Sequence, residues 1–256
     1  MGRLQTWGQE SVTTWESLWG LPHFEVHDEL SSTNDRVRVL AEEGASAFTT
    51  VIADTQTAGR GRGGKYWESS AGLGLWMSFL LRPVDGGDSS LTPLLVGLGT
   101  ARAIEALCPG SQPRIKWPND VFVNDRKVCG ILCEGVGPDA VVVGVGVNVH
   151  QRQEDFPADL SDRATSLLAA GCSGQSLARM AGEVLRQTRL LVEPLPELLD
   201  EGLRNELGKR DALAGRVVRT EAGQEGTAIG VADDGALLIQ SDGVCHTVRG
   251  GWIRIV

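Results

Sequence analysis

Between residues 24 and 150 the apolar positions fall into short blocks whose spacing changes from two to three-and-a-half and back. Residues 24–27 and 48–53 read as strands, the second β-branched and apolar. Residues 73–81 read as a buried strand ended by Pro83. Val37, Leu40 and Ala41 recur at helical spacing after Ser32, with Gly44 as a stop, and Ser32 with Asp35 resembles a capping box. Residues 91–107 repeat the helical spacing, with Ser90 or Thr92 as cap. Residues 121–123 and 127–134 flank Asn124-Asp125-Arg126 as a hairpin. Residues 140–149 read as a strand that alternates from 143 on: Gly144, Gly146 and Asn148 face one way, Val143, Val145 and Val147 the other. Residues 177–207 are helical in pattern, interrupted at Pro194 and Pro196. From Asp211 the texture changes to short β runs joined by Asp-Gly turns, which predicts a small β barrel. The pattern predicts an α+β chain: a polar tail over 1–20 with three tryptophans, a mixed sheet with helices on one face over 21–209, and the barrel over 210–256.

One stretch does not fit a regular element. Residues 54–67 hold four glycines, Arg60, Arg62, Lys65 and Trp67. Glycine permits positive φ and close backbone approach, bare amides bind anions, and arginine adds planar charged forks. The stretch reads as a clamp for a negatively charged ligand. Gly59, Gly61 and Gly64 also match the dinucleotide fingerprint. That fingerprint needs a helix starting on the last glycine, and the pattern predicts a strand there instead.

Charge narrows the chemistry. A net charge of −9 argues against a broad nucleic-acid or membrane-binding surface. Cationic groups must therefore act locally. Lysine is scarce, and Lys65, Lys116 and Lys127 fall in the motif-rich middle. Pro118 forces an extended Trp117, which places Lys116 at a strand end. The five cysteines form no C-x-x-C pair and the histidines do not cluster, so reduced thiols, no structural metal and a cytoplasmic location are expected. Glycines at 144 and 146, ended by the amide of Asn148, make a flat floor beside a hydrogen-bonding group.

Taken in order, Ser32-Thr33-Asn34, Gln56 to Arg62, Lys116-Trp117-Pro118-Asn119-Asp120, Lys127 with Gly130-Ile131-Leu132, and Gly144-x-Gly146-x-Asn148 resemble the biotin protein ligases. The resemblance implies a catalytic sheet like that of class II aminoacyl-tRNA synthetases with an SH3-like C-terminal domain, in a short form without a DNA-binding module. It implies two steps, in which ATP activates biotin as biotinyl-5′-adenylate and a carrier-domain lysine of a carboxylase then takes the biotin. Ser32, Thr33, Asn34 and Gln56 would hold the biotin ring over Gly144 and Gly146. Arg60, Gly61 and Arg62 would close over carboxylate and phosphates, with Lys116 and Arg62 acting in the reaction itself. Trp67, Asn119, Lys127, Asn148 and Arg249 would serve the nucleotide, which brings Mg²⁺ with it. Arg60, Arg62 and Lys116 are expected to share one cavity floored by the two glycines. No DNA or membrane partner is expected, and a homodimer is compatible with the resemblance. A lipoate–protein ligase and a non-catalytic biotin sensor are the alternative readings.

Overall fold

The computed structural model of the protein describes residues 2–83 and 90–256. Along the chain lie β1 (Arg3–Leu4), β2 (Thr6–Trp7), β3 (Glu10–Ser11), α1 (Val12–Trp19), β4 (Phe24–Leu30), α2 (Thr33–Glu42), β5 (Thr50–Gln56) and β6 (Gly74–Leu81). Then follow α3 (Thr92–Leu107), β7 (Arg114–Lys116), β8 (Asp120–Val123), β9 (Arg126–Val136), β10 (Ala140–Asn148), α4 (Leu177–Val192) and α5 (Glu201–Lys209). The chain ends in β11 (Val217–Thr220), β12 (Glu225–Val231), β13 (Leu237–Ser241), β14 (Val244–Val248) and β15 (Ile253–Ile255).

Eight strands form one mixed sheet in the order β1-β4-β5-β6-β10-β9-β8-β7. Among the described strands only β4 and β5 pair in parallel, and α2 makes the crossover between them. The alternation in β10 decides what each face carries. Val143, Val145 and Val147 join Ile52, Met77 and Phe79 in the main core, which α3 and α4 cover. The opposite face carries Val51, Leu80 and Val142, and there α2 lays down Val37, Leu40 and Ala41. The mixed sheet with helices is thus present, but the helices are not confined to one face: among the described residues α2 crosses the other. That helix starts above the glycines of β10.

The first 20 residues are built into the sheet edge. β1 pairs with β4, and Trp7, Trp15 and Trp19 cluster against Phe24 at ring separations of 5.0–6.4 Å. At the other edge, residues 210–212 bond to Ile115 of β7, so the C-terminal unit takes shape a few residues later, at β11. It is a five-stranded antiparallel sheet, β14-β13-β12-β11-β15, whose outer strands β14 and β15 are not paired with each other.

Two features were not foreseen. Cys108, at the end of α3, and Cys172, before α4, form a disulfide with Cα atoms 5.7 Å apart. This corrects the expectation of reduced thiols for that pair; a separation of 64 residues leaves no local signature. No helix among the described residues is long and apolar enough to cross a membrane.

The second is Glu25, 2 % exposed on β4. Arg36 of α2 grips it with two hydrogen bonds of 2.8 Å, and His23 and His27 add one each. Burial opposes its ionisation, yet the bonds from Arg36 and the two histidines together hold its pKa far below the carboxylate range. This pair pins α2 to the sheet. Glu25→Gln is expected to cost about 2–3 kcal/mol at neutral pH, since charged hydrogen bonds are lost around a buried group. A depressed carboxylate stabilises above its unfolded pKa and loses that contribution as pH falls. Urea melts should therefore show wild type losing its advantage over the variant below about pH 4.3. A constant gap between pH 7 and pH 3 would refute the assignment.

Candidate active site

The N-terminus of α2 is where sequence and fold first converge. Ser32, Thr33 and Asn34 are all buried there. Ser32 is the N-cap residue but makes no side-chain cap bond, so the expected capping box does not form. Asp35 is drawn away by Arg60 instead. Gln56, at the end of β5, takes the job of holding the helix start. Its Oε1 accepts from the Thr33 amide at 2.9 Å and the Thr33 hydroxyl at 3.1 Å. Its Nε2 donates to Ser69 at 2.8 Å. Ser78 completes the cluster, 2.6 Å from the Thr33 hydroxyl and donating to Asn34 Oδ1 at 2.6 Å. Asn34 Nδ2 donates to Glu134 at 2.7 Å. Six polar side chains thus lock one another at this end of the helix.

The floor under this cluster is β10. A side chain at Gly144 would run into the Asn34 carboxamide, with Cγ 3.1 Å from the Cβ position. A side chain at Gly146 would meet the Trp67 indole at 2.7 Å, and one at Gly130 would meet the same ring at 2.9 Å. Trp67 therefore lies flat on two glycines of neighbouring strands. Lys127 stacks its ammonium 5.1 Å from the indole centre and pairs with Asp120 at 2.6 Å.

The glycine-rich stretch is a tight hairpin. Gly61 donates to the Lys65 carbonyl at 2.7 Å and Trp67 to that of Gly59 at 2.9 Å. Gly63 and Gly64 turn the chain at φ values of 66° and 72°. Strand β6 follows, not a helix, so the dinucleotide fingerprint is not in use. Two of the amides expected to be bare are spent inside the hairpin. Arg60 grips Asp35 through both carboxylate oxygens, at 2.9 and 2.5 Å, and lies 3.8 Å from Glu134. Arg62 reaches the other way, donating to Asn119 at 3.1 Å and to the Gly251 carbonyl at 3.4 Å. Asn119 is anchored in turn on the Ile131 carbonyl.

Lys116 ends β7, as expected, and is half-buried. Among the described residues it makes no salt bridge; its ammonium sits 5.7 Å from the Phe122 ring centre. Burial pushes its pKa down, Asp120 across the hairpin partly restores it, and Lys127 and Lys65 lower it further. Asn148 is buried at the end of β10 and bonded to Thr165 and Gln151. Arg249, from the C-terminal sheet, is exposed and pairs with Asp234 at 2.5 Å.

The expectation of one cavity shared by Arg60, Arg62 and Lys116 over Gly144 and Gly146 is not met: of these five residues only Arg62 lines the cavity the structure forms. A cavity of about 250 Å³ opens between the two sheets, lined by Arg62, Asn119, Trp117, Cys133 and Arg249 among others. Lys116, Gly144 and Gly146 do not line it. Arg60 is held by Asp35, and Trp67 covers Gly146. The two halves are joined through Arg62 and Asn119 rather than by one open space. The sequence reading missed Ser78 and Glu134, and gave Asp35 only a capping role. Ser78 alone carried a signal, as a lone hydroxyl in the apolar run of β6.

Residues 27–148 match the model of the biotin/lipoate A/B protein ligase family. The bifunctional ligase/repressor BirA of Bacillus subtilis is 42 % identical over 165 residues, covering 61 % of this chain and 49 % of its own. The biotin–[acetyl-CoA-carboxylase] ligase of Mycobacterium tuberculosis is 37 % identical over 174 residues, 66 % of this chain and 63 % of its own. The chain thus spans about half to two thirds of the length of these relatives. Among solved structures, the biotin protein ligase from Aquifex aeolicus in complex with biotin and ATP superposes with a TM-score of 0.83 at 29 % identity. It covers 92 % of this chain and all of that one. A single-residue variant of the same Aquifex aeolicus ligase in complex with biotin is 30 % identical and is covered to 99 % of its length, and the chain belongs to the biotin/lipoate A/B protein ligase family.

Proposed function

We propose that the protein condenses biotin with ATP to biotinyl-5′-adenylate and pyrophosphate, then passes the biotinyl group to a lysine of a biotin carboxyl carrier domain. The observation that carries this reading is the buried cluster of Thr33, Asn34, Gln56 and Ser78 over Gly144. A bicyclic urea offers two N–H donors and one carbonyl, and a site of interlocked hydroxyls and amides matches such a ring. The dithiolane of lipoate has nothing to bond there, and would leave buried polar groups unpaired at a cost of about 1–3 kcal/mol each. This favours biotin over lipoate within the family.

In this reading Ser32 adds a hydroxyl at the helix start, and the glycine floor lets the ring lie flat. The carboxylate points toward the hairpin, where Arg60, Gly61 and Arg62 meet two mutually repelling anions. Oxygen of the carboxylate attacks the α-phosphorus, and the bond to the β-phosphate oxygen breaks. Lys116 is poised for the charge that gathers on the phosphorus oxygens. Its ammonium is desolvated and lacks an ion-pair partner among the described residues, so an anion beside it relieves a cost already present. Trp67 walls the adenine, Lys127 and Asn119 fix the nucleotide side, and Asn148 bonds the base. Arg249 faces the cavity from the C-terminal sheet and serves the phosphates. Mg²⁺ arrives on the triphosphate as part of the substrate. The acceptor lysine later attacks the acyl carbon and AMP leaves.

Exchange of labelled pyrophosphate into ATP tests the reading. Exchange is expected with biotin and not with lipoate. Exchange with lipoate alone would transfer the site to the other branch of the family. Tight biotin binding with no exchange would make the protein a sensor.

A further inference from the structure

Asn148 closes β10 on the face of Gly144 and Gly146, and its carboxamide is held at both ends. Nδ2 donates to the Thr165 carbonyl at 3.0 Å. Oδ1 accepts from Nε2 of Gln151 at 3.2 Å. Gln151 is only 8 % exposed, and its backbone carbonyl accepts from the Ser166 hydroxyl. Its own Oε1 is buried with no hydrogen-bond partner among the described residues. An unmade buried hydrogen bond is costly. Packing alone gains nothing from an amide at this position. What the amide does supply is the donor to Asn148.

That donor fixes the polarity of Asn148. Turning its carboxamide over would set NH₂ against the NH₂ of Gln151 and Oδ1 against the Thr165 carbonyl. Both contacts would then be repulsive. As held, the group keeps one N–H and one lone pair unused, in a set order along its edge. A 6-aminopurine presents an N–H donor beside an acceptor ring nitrogen. A 6-oxopurine presents an acceptor beside a ring N–H. One orientation of a carboxamide matches the first edge, and the inverted orientation matches the second.

We propose that Gln151 is a positioning residue for nucleotide choice: by locking the Asn148 carboxamide against the Thr165 carbonyl, it makes the site accept a 6-aminopurine triphosphate and reject a 6-oxopurine one. The inference rests on the reading of Asn148 as a nucleotide ligand.

The test compares ATP with inosine triphosphate in biotin-dependent pyrophosphate exchange. Wild type should favour ATP in kcat/KM by roughly 5- to 150-fold, the discrimination of one well-placed amide. Gln151→Met, of similar volume but without a donor, should narrow that ratio at least threefold. The change should fall mainly on the KM for ATP. Gln151→Glu is the second variant, because its ionised carboxylate attracts the NH₂ of Asn148 and should narrow the ratio further. Wild type using both triphosphates equally would overturn the proposal. So would variants that lose both nucleotides in equal proportion, since that is what a merely structural role predicts. If wild type showed no biotin-dependent exchange at all, the enzymatic reading would fall, and the shift in melting temperature given by each triphosphate to wild type and Gln151→Met would decide this inference separately.

Discussion

Lys116→Ala should lower the rate of adenylate formation by roughly 10²–10³-fold while moving biotin affinity by no more than about threefold. The split follows from where the charge sits. Lys116 is absent from the polar cluster that would hold the ring, so it contributes little to the ground state. It ends β7 opposite Asp120, but Lys127 takes the ion pair with that carboxylate at 2.6 Å. Lys116 is left desolvated, with its pKa pushed down by burial. A cation in that condition interacts most strongly with charge that appears during the reaction. Lys116→Arg should restore little, because a planar fork cannot occupy the space of a compact ammonium beside Phe122. Pyrophosphate exchange and calorimetric biotin titration measure the two quantities. Normal exchange in Lys116→Ala, or equal losses in both measurements, would take the residue out of this role.

Much of this arrangement was legible in the sequence because it depends on short-range rules. The alternation of valine and glycine in β10 specified its two faces, and the structure keeps them. Asn124 and Asp125 read as a hairpin turn and adopt positive φ values of 51° and 59°. Pro118 put Lys116 at a strand end. What was not legible depends on distance along the chain. Asp35 looked like a capping residue because its neighbours are local, yet Arg60, 25 residues away, offers a two-pronged partner that a capping bond cannot match. The anion clamp was read as a row of free amides, but a hairpin satisfies its own backbone first, and only the fold shows which amides that uses. The disulfide joins segments separated by the whole run of β7 to β10. Arg62 bonding to Gly251 joins the glycine-rich hairpin to the loop before β15, and no local pattern announces it.

The glycines of β10 give a sharper test, because they lie two residues apart on one strand face but should govern different substrates. Gly144→Ala places a methyl group against Asn34, 3.1 Å from Cγ and 3.3 Å from Nδ2. Asn34 cannot yield without losing its bonds to Ser78 and Glu134, the second of them to a charged group. Loss of both is worth about 2–4 kcal/mol, which predicts biotin affinity roughly 30- to 1000-fold weaker. The valines on the other face of β10 are untouched, so the melting temperature should fall by no more than the roughly 5–15 °C that those two bonds account for. Gly146→Ala instead places its methyl against the Trp67 indole at 2.7 Å. Trp67 closes the glycine-rich hairpin, and its displacement should raise the KM for ATP while biotin binding stays within a few-fold of wild type. The two variants should therefore show crossed defects, biotin for Gly144 and nucleotide for Gly146. If both variants weakened the same substrate, the floor would not be divided in this way, and the placement of ring and adenine along β10 would have to be redrawn.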